Sequence, residues 1–222
     1  MNTRRPSAAF TLLELLVVIG LVAGLSFFLI GGLAGGSRSA ALQSGQATMI
    51  NLLMVARTHA MASGNPTRVL VNHERLAADR YLRQLVLQES RSGNWHTLQL
   101  VALPAGVYVL PHQNQMPDDL FGAGAPWIKA DGSRLHSTCL FRAPVSLAVD
   151  TALAETWSEL LFTPFGTTGT SGFLVLATGR AQPPGAAADT QSPIWLENQM
   201  AVRGLQLSAY GLGLPINERD GF

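Results

Sequence analysis

Cysteine is nearly absent from this chain: Cys139 is the only one in 222 residues, so no disulfide can form within it. With no partner base beside it in the sequence, Cys139 reads as a small buried hydrophobe rather than a nucleophile. Charge is scarce as well. Asp, Glu, Lys and Arg make up 13 % of the residues against a hydrophobic share of 47 %. Soluble domains carry about 25 %, so part of this chain is expected in apolar surroundings. The formal net charge is only +1, which argues against the dense basic face of a nucleic-acid binder. The histidines, His59, His73, His96, His112 and His136, are scattered without metal-ligand spacing. His59 is expected as a solvated or capping side chain. The adjacent pair Asp118–Asp119 lacks the alternating oxygen ligands of a calcium loop. "GTTGTSG", 166–172, lacks the Gly-Lys-Ser/Thr of a phosphate loop, and "GLAGG" follows no strand, so neither is a nucleotide fingerprint. No acid/base cluster converges anywhere. The expectation is a protein with no catalytic residue, no metal, no cofactor and no nucleic-acid partner.

What the chain does have is concentrated at its start. Residues 1–9, "MNTRRPSAA", carry Arg4 and Arg5 and no acid, and from Phe10 to Gly36 the only ionisable side chain is Glu14. Residues 15–36 are therefore charge-free, and as a helix they span roughly 33 Å, about the thickness of a bilayer core. A secretory h-region is shorter, about 7–15 residues. Length favours a retained membrane helix, and the basic leader places the N-terminus in the cytoplasm. Gly31, Gly32, Gly35 and Gly36 mark a loosened stretch or a close-packing face. Beyond Ser37 apolar side chains recur at Leu42, Met49, Ile50, Leu53, Ala56, Ala60 and Met61, one stripe at helical spacing. Gly64–Asn65–Pro66 ends it. One helix is expected from about residue 11 to 63, apolar all round in its first half and amphipathic in its second. Glu14 costs about 2.5–3.5 kcal/mol at the centre of a membrane helix and less near its end. No Lys, Arg or His in that helical stretch stands ready to pair with it. Cutting before Phe10 creates a partner, a free α-amine four residues from the glutamate.

The run Ala9–Phe10–Thr11–Leu12–Leu13–Glu14–Leu15–Leu16–Val17–Val18–Ile19, behind a basic leader, resembles the class III signal of type IV pilins and type II secretion pseudopilins. The resemblance implies that a prepilin peptidase cuts after Ala9 on the cytoplasmic side, that Phe10 becomes N-methylphenylalanine, and that Glu14 is the assembly residue. It implies partners in other pilin or pseudopilin subunits through the N-terminal helix, and in the lipid bilayer. Ala9 departs from the glycine usual at that place. The paired glycines around Gly31 stand where many members carry proline. "MVARTHAMASGNPTRVLV" and "LLFTPFGTTGTSGFLVL" more loosely resemble the helix-to-strand junction and a strand–turn–strand of minor pseudopilins of the H class.

After Pro66 short strands are expected at 67–73, 80–88, 95–104, 106–111, 159–166, 172–179, 193–198 and 203–210. Ser92, Gly93 and Asn94 mark a hairpin, 112–134 a long loop, 166–172 a turn and 181–192 a flexible hairpin tip. Trp95, Trp127, Trp157 and Trp195 are expected in the core or on the sheet surface. The fold class is α+β, a long N-terminal helix packed on an antiparallel sheet. The division is a leader over 1–9, a membrane and assembly helix over 10–36, and a periplasmic head over 37–222. The function implied is a structural subunit, minor rather than major, anchored in a bacterial inner membrane. The alternative is a secreted or anchored binding protein with an ordinary signal, for which "LAGGS" offers small residues to signal peptidase. A mature chain beginning at Phe10 marks the first reading, and one beginning beyond Gly36 the second.

Overall fold

The structure is a computed structural model. It describes residues 12–122, 124, 126–140, 143–149, 153–182 and 191–222, with the side chains of all but 13, 14 and 23–35. The chain divides into two compact units, residues 1–39 and 40–222.

One helix, α1, runs Leu12–Ser63. In the first unit its described side chains from Leu15 to Val22 are exposed and, Gly20 apart, large and apolar, with Leu16 65 % and Leu21 62 % exposed. No face of this stretch is polar, a pattern that belongs to a helix surrounded by apolar material. Among the described residues no helix is long and apolar enough to cross a membrane. The remainder of the charge-free run falls mostly on 23–35, whose side chains lie outside the described ones.

In the second unit α1 is amphipathic and its stripe enters the core. Leu42, Met49, Leu53, Ala56 and Ala60 are buried as their spacing predicts, and Leu52 and Gln46 join them. Met61, expected in the stripe, is 41 % exposed. It sits in the last turn of α1, two residues before the helix ends, beside the fully buried Ala60. The stop is a glycine cap. Gly64 takes φ +69° and donates its N–H to the Ala60 carbonyl at 3.0 Å, a conformation in which a Cβ is strained.

The strands are β1 Thr67–Asn72, β2 Gln84–Arg91, β3 Asn94–Ala102, β4 Val107–Val109, β5 Val145–Leu147, β6 Glu155–Phe162, β7 Gly172–Ala181, β8 Ile194–Leu196, β9 Val202–Leu207 and β10 Gly213–Ile216. Every pairing is antiparallel. They form two sheets rather than the single one expected. The first has order β3-β2-β1-β6-β5; the second has β10-β9-β7-β4, with β8 also on β7. The α+β class with one N-terminal helix and antiparallel sheets holds.

The core lies where α1 meets both sheets. It collects Leu42, Met49, Leu53 and Ala56 of the helix, Val69, Val71, Leu85, Leu87 and Phe162 of the first sheet, and Leu174, Leu176, Leu205 and Leu207 of the second. Alternation explains the first sheet: Val69 and Val71 of β1 face the helix, while Leu70 turns outward into a smaller cluster with Val86, Val149 and Trp157. A further cluster of Tyr81, Tyr108, Leu120, Phe121 and Trp127 fills the space beneath the loop after β4.

Several boundaries move. The strand expected over 80–88 begins only at Gln84, because Arg80–Arg83 form a turn with Leu82 at φ +55° and Tyr81 buried in the core. The strand expected over 106–111 keeps only Val107–Val109. β5 and β10 were not expected; each is short, and β10 contains Pro215, a residue that weighs against a strand. The hairpin at Ser92 and Gly93 is as predicted, with φ +51° and +83° at its two central residues. The expected loop over 112–134 holds one-turn 3-10 helices at Gln113–Gln115 and Asp118–Phe121. The hairpin tip expected over 181–192 falls largely on 183–190, outside the described residues.

Candidate functional site

The site residues that the sequence singles out sit at the chain start. Ala9 and Phe10 lie outside the described residues, and so does the side chain of Glu14, whose backbone belongs to the first turn of α1. What the structure does describe is how residues 40–63 of α1 are held in the second unit.

The fixing combines burial with a few buried polar ties. Leu53 is 2 % exposed and Met49 0 %, and burying each such side chain stabilises by about 1.5–3 kcal/mol. Gln46, 5 % exposed, donates from Nε2 to the Gly204 carbonyl at 2.7 Å and to the Ile216 carbonyl at 2.9 Å. One amide thus joins α1 to β9 and β10. Arg57 Nε donates to the carbonyls of Tyr210 at 2.9 Å and Gly166 at 3.2 Å, which binds the helix to two loops. Thr67 Oγ1 donates to the Ala56 carbonyl at 2.9 Å, at the point where the chain turns from helix to β1.

The end of the helix carries a charge cluster that sequence reading missed. Glu89 on β2 is 1 % exposed. Asn65 Nδ2 donates to its Oε1 at 3.1 Å, and Arg91 donates to Oε2. Hydrogen bonding from Asn65 first, then Ser63 and Arg91, holds the Glu89 carboxyl down at about 2 despite its desolvation. His59 was expected as a solvated or capping side chain. Instead its Nε2 lies 3.4 Å from Glu89 Oε2, close enough for attraction but without hydrogen-bond geometry. A signal for this existed: a lone Glu inside an apolar strand pattern needs partners.

A second missed constellation lies on the outer face of the first sheet. Arg68 stacks 4.0 Å over the Trp95 ring, donates to Gln88 Oε1 at 2.9 Å and pairs with Glu159 at 3.0 Å. Burial lowers the Arg68 pKa, and Glu159 opposes that shift. Beside it Glu155 accepts from Asn72 and from Arg80, both at 2.8 Å. These are structural pairs: Arg68 commits Nε and Nη1, and Glu155 both carboxylate oxygens, to neighbours.

An open cleft of about 390 Å³ is lined by His73, Glu74, Arg75, Asn114, Gln115 and Thr156. His73 is 7 % exposed and its Nε2 contacts the Gln115 carbonyl at 3.1 Å. Ser158 lies 3.4 Å from His73 Nδ1 but donates to Gln115 Oε1 at 2.9 Å. It is 1 % exposed. A buried hydroxyl whose proton is committed to an amide is not an activated nucleophile. Glu74 Oε2 accepts from the Thr156 backbone and hydroxyl. Cys139 is fully buried and burial pushes its thiol up to about 12, the inert state for a thiol. Asp119, half of the weighed calcium pair, accepts from the Ser192 backbone at 2.8 Å. Among the described residues no group of three or more His, Cys, Asp or Glu is placed to hold a metal ion.

Burial also gives His73 a measurable role. Desolvation lowers its pKa from 6.5 to about 4. The unfolded chain therefore binds the extra proton first as pH falls, so the stabilising contribution is full above pH 6.5 and is lost between there and pH 4. For Glu89 the same sign applies lower down, from 4.5 toward 2. The urea midpoint is expected to fall in two stages on acidification, and His73→Phe to flatten the upper stage while leaving the lower one.

No family model matches the chain, and no curated protein matches it. Among solved structures it is similar to the minor pseudopilin EpsH of the type 2 secretion system of Vibrio cholerae. One such structure gives 16 % identity and a TM-score of 0.39, covering 79 % of this chain and 95 % of that one. A second gives 17 % and 0.38 over the same shares.

Proposed function

We propose that this chain is a prepilin-type structural subunit, a minor pseudopilin or pilin that is cut after Ala9, N-methylated at Phe10 and assembled into a filament through its N-terminal helix. One observation carries the reading. Ala9–Phe10–Thr11 and Glu14 open a charge-free run behind a basic leader, and α1 leads from that run into the core of an α+β head. A secretory signal is removed and has no need to be continuous with a core helix.

The mechanism follows from charge and burial. In the bilayer the Glu14 carboxylate is desolvated, with no Lys, Arg or His between Phe10 and Gly36 to pair with it. In a filament it meets the Phe10 α-amine of a neighbouring subunit, and each charge relieves the other's desolvation. The pairing fixes the axial register between helices. Leu15–Val22, apolar on every side, are compatible with lipid before assembly and with neighbouring helices after it. The head stays on the far side of the inner membrane from the leader, as the arginines at 4 and 5 direct.

Co-expression with a prepilin peptidase tests the processing step. The chain is expected to lose residues 1–9 only when the active peptidase is present, and Ala9→Gly to be cut at least as fast. A chain that is shortened beyond Gly36 by signal peptidase, with or without the prepilin enzyme, contradicts it.

A further inference from the structure

The ends of the two sheets are treated very differently. β5, β4 and β8 are three residues long, and β10 is four with a proline. Short strands and proline are the usual protection of an exposed edge against pairing with another chain. β3 is the remaining edge, at the end of the first sheet. It is nine residues long, contains neither proline nor Asp, Glu, Lys or Arg, and is exposed along most of its length. The neutrality extends beyond it: no such charge occurs from Ser92 to Pro117. Leu98 and Leu100 are 37 % and 47 % exposed. Its backbone pairs with β2 on one side, and no described strand lies on the other. Leu98 is the unmatched residue of a bulge, since Leu87 faces Gln99 and Gln88 faces Thr97. The bulge adds twist at one point and leaves regular runs on both sides of it.

We propose that β3 is the docking edge for a second copy of this chain, the two strands pairing antiparallel about Leu98 so that the two first sheets become one. The free edge of a strand specifies an extended backbone as its occupant. Charge selects the copy. Antiparallel pairing about Leu98 sets Thr97 opposite Gln99, Trp95 opposite Val101 and His96 opposite Leu100, with no like-charge pair to oppose it. On β2, Arg91 pairs through Nε with the buried Glu89, so the two charges beside β3 are of opposite sign and leave no surplus of either to favour a charged peptide. A two-fold pair also covers both exposed edges in one contact. The seam is about 30 Å long, from nine residues at about 3.3 Å each, and about 10 Å thick. It buries on the order of 600 Å² in total, below the roughly 1,200 Å² of stable complexes. The pair is therefore weak and concentration-dependent. The inference stands on the head alone and does not rest on the processing of the N-terminus.

Cross-linking of the full chain in detergent micelles tests it. Leu98→Cys, with a short bis-maleimide that tolerates a one-step register slip, is expected to give covalent dimer at least tenfold faster than Gln206→Cys on the second sheet. The native Cys139 is buried and does not interfere. Adding Thr97→Lys and Gln99→Lys, exposed positions that face each other across the seam, to the Leu98→Cys chain is expected to slow the reaction at least tenfold. Mixing that chain with a Thr97→Glu, Gln99→Glu, Leu98→Cys partner restores it, and thermal melting within about 2 °C of the parent excludes unfolding as the cause. Equal rates at the two positions, indifference to the paired lysines, or failure of the mixed pair to recover overturns the proposal.

Discussion

Glu14→Leu chains are expected to insert and be cut like the parent, yet to enter the assembled filament at least a hundredfold less. The substitution makes the helix more apolar and improves its partition into lipid. What it removes, on the function proposed above, is one partner of an ion pair that forms only between subunits. Breaking such a pair costs about 3–5 kcal/mol, because the remaining charge, here the neighbour's α-amine, stays buried without compensation. At 1.4 kcal/mol per tenfold, the lower figure is already about a hundredfold in incorporation. The comparison that isolates the effect is Glu14→Leu against Leu15→Ile, measured as the fraction of cut chain that sediments with filament. Equal incorporation of the two removes the assembly role of Glu14.

The second large effect is in the head. Leu53→Ala is expected to destabilise it by about 2–5 kcal/mol, because the lost methyl groups leave a cavity where α1 meets both sheets. Its neighbour Met54 is 61 % exposed, and Met54→Ala is expected to cost under about 0.5 kcal/mol. For a domain of this size the difference is about 5–15 °C in Tm by calorimetry. Two adjacent residues on one helix with such unequal costs define the face by which α1 is seated. Similar costs for the two mean that the stripe has been placed on the wrong side.

Periodicity made the helix and most strands legible. Leu42, Met49, Leu53, Ala56 and Ala60 recur at a spacing with one structural meaning, and Gly64–Asn65–Pro66 closes it with chemistry that few other contexts need. β1 and β7 were equally readable, since long β-branched and apolar runs between turn residues have few alternatives. What could not be read locally was partnership. Two sheets instead of one follows from which strand pairs with which, and β5 and β10 are strands only because β6 and β9 lie beside them. The turn at Arg80–Arg83 carries Tyr81 and Leu82, residues as suitable for a strand as those after it, and tertiary burial decides against them.

The polar interior was the least legible part. In the sequence Gln46 is one more polar residue on a helix, Arg68 opens an apolar strand run, and Glu89 follows the run expected to end at Gln88. Their partners stand 158, 24 and 91 residues away in the chain, at Gly204, Asn65 and Glu159. No local pattern encodes such distances. The candidate assembly site is the reverse case. Ala9, Phe10 and Glu14 are singled out by their spacing along the chain, so sequence is the level at which that site is read.

The N-terminal residue of the native protein tests the central claim most directly. Mass spectrometry of the chain isolated from its own membrane is predicted to find an N-methylphenylalanine at Phe10 and no trace of residues 1–9. A mature chain that begins at Met1, or at a residue beyond Gly36, contradicts the account.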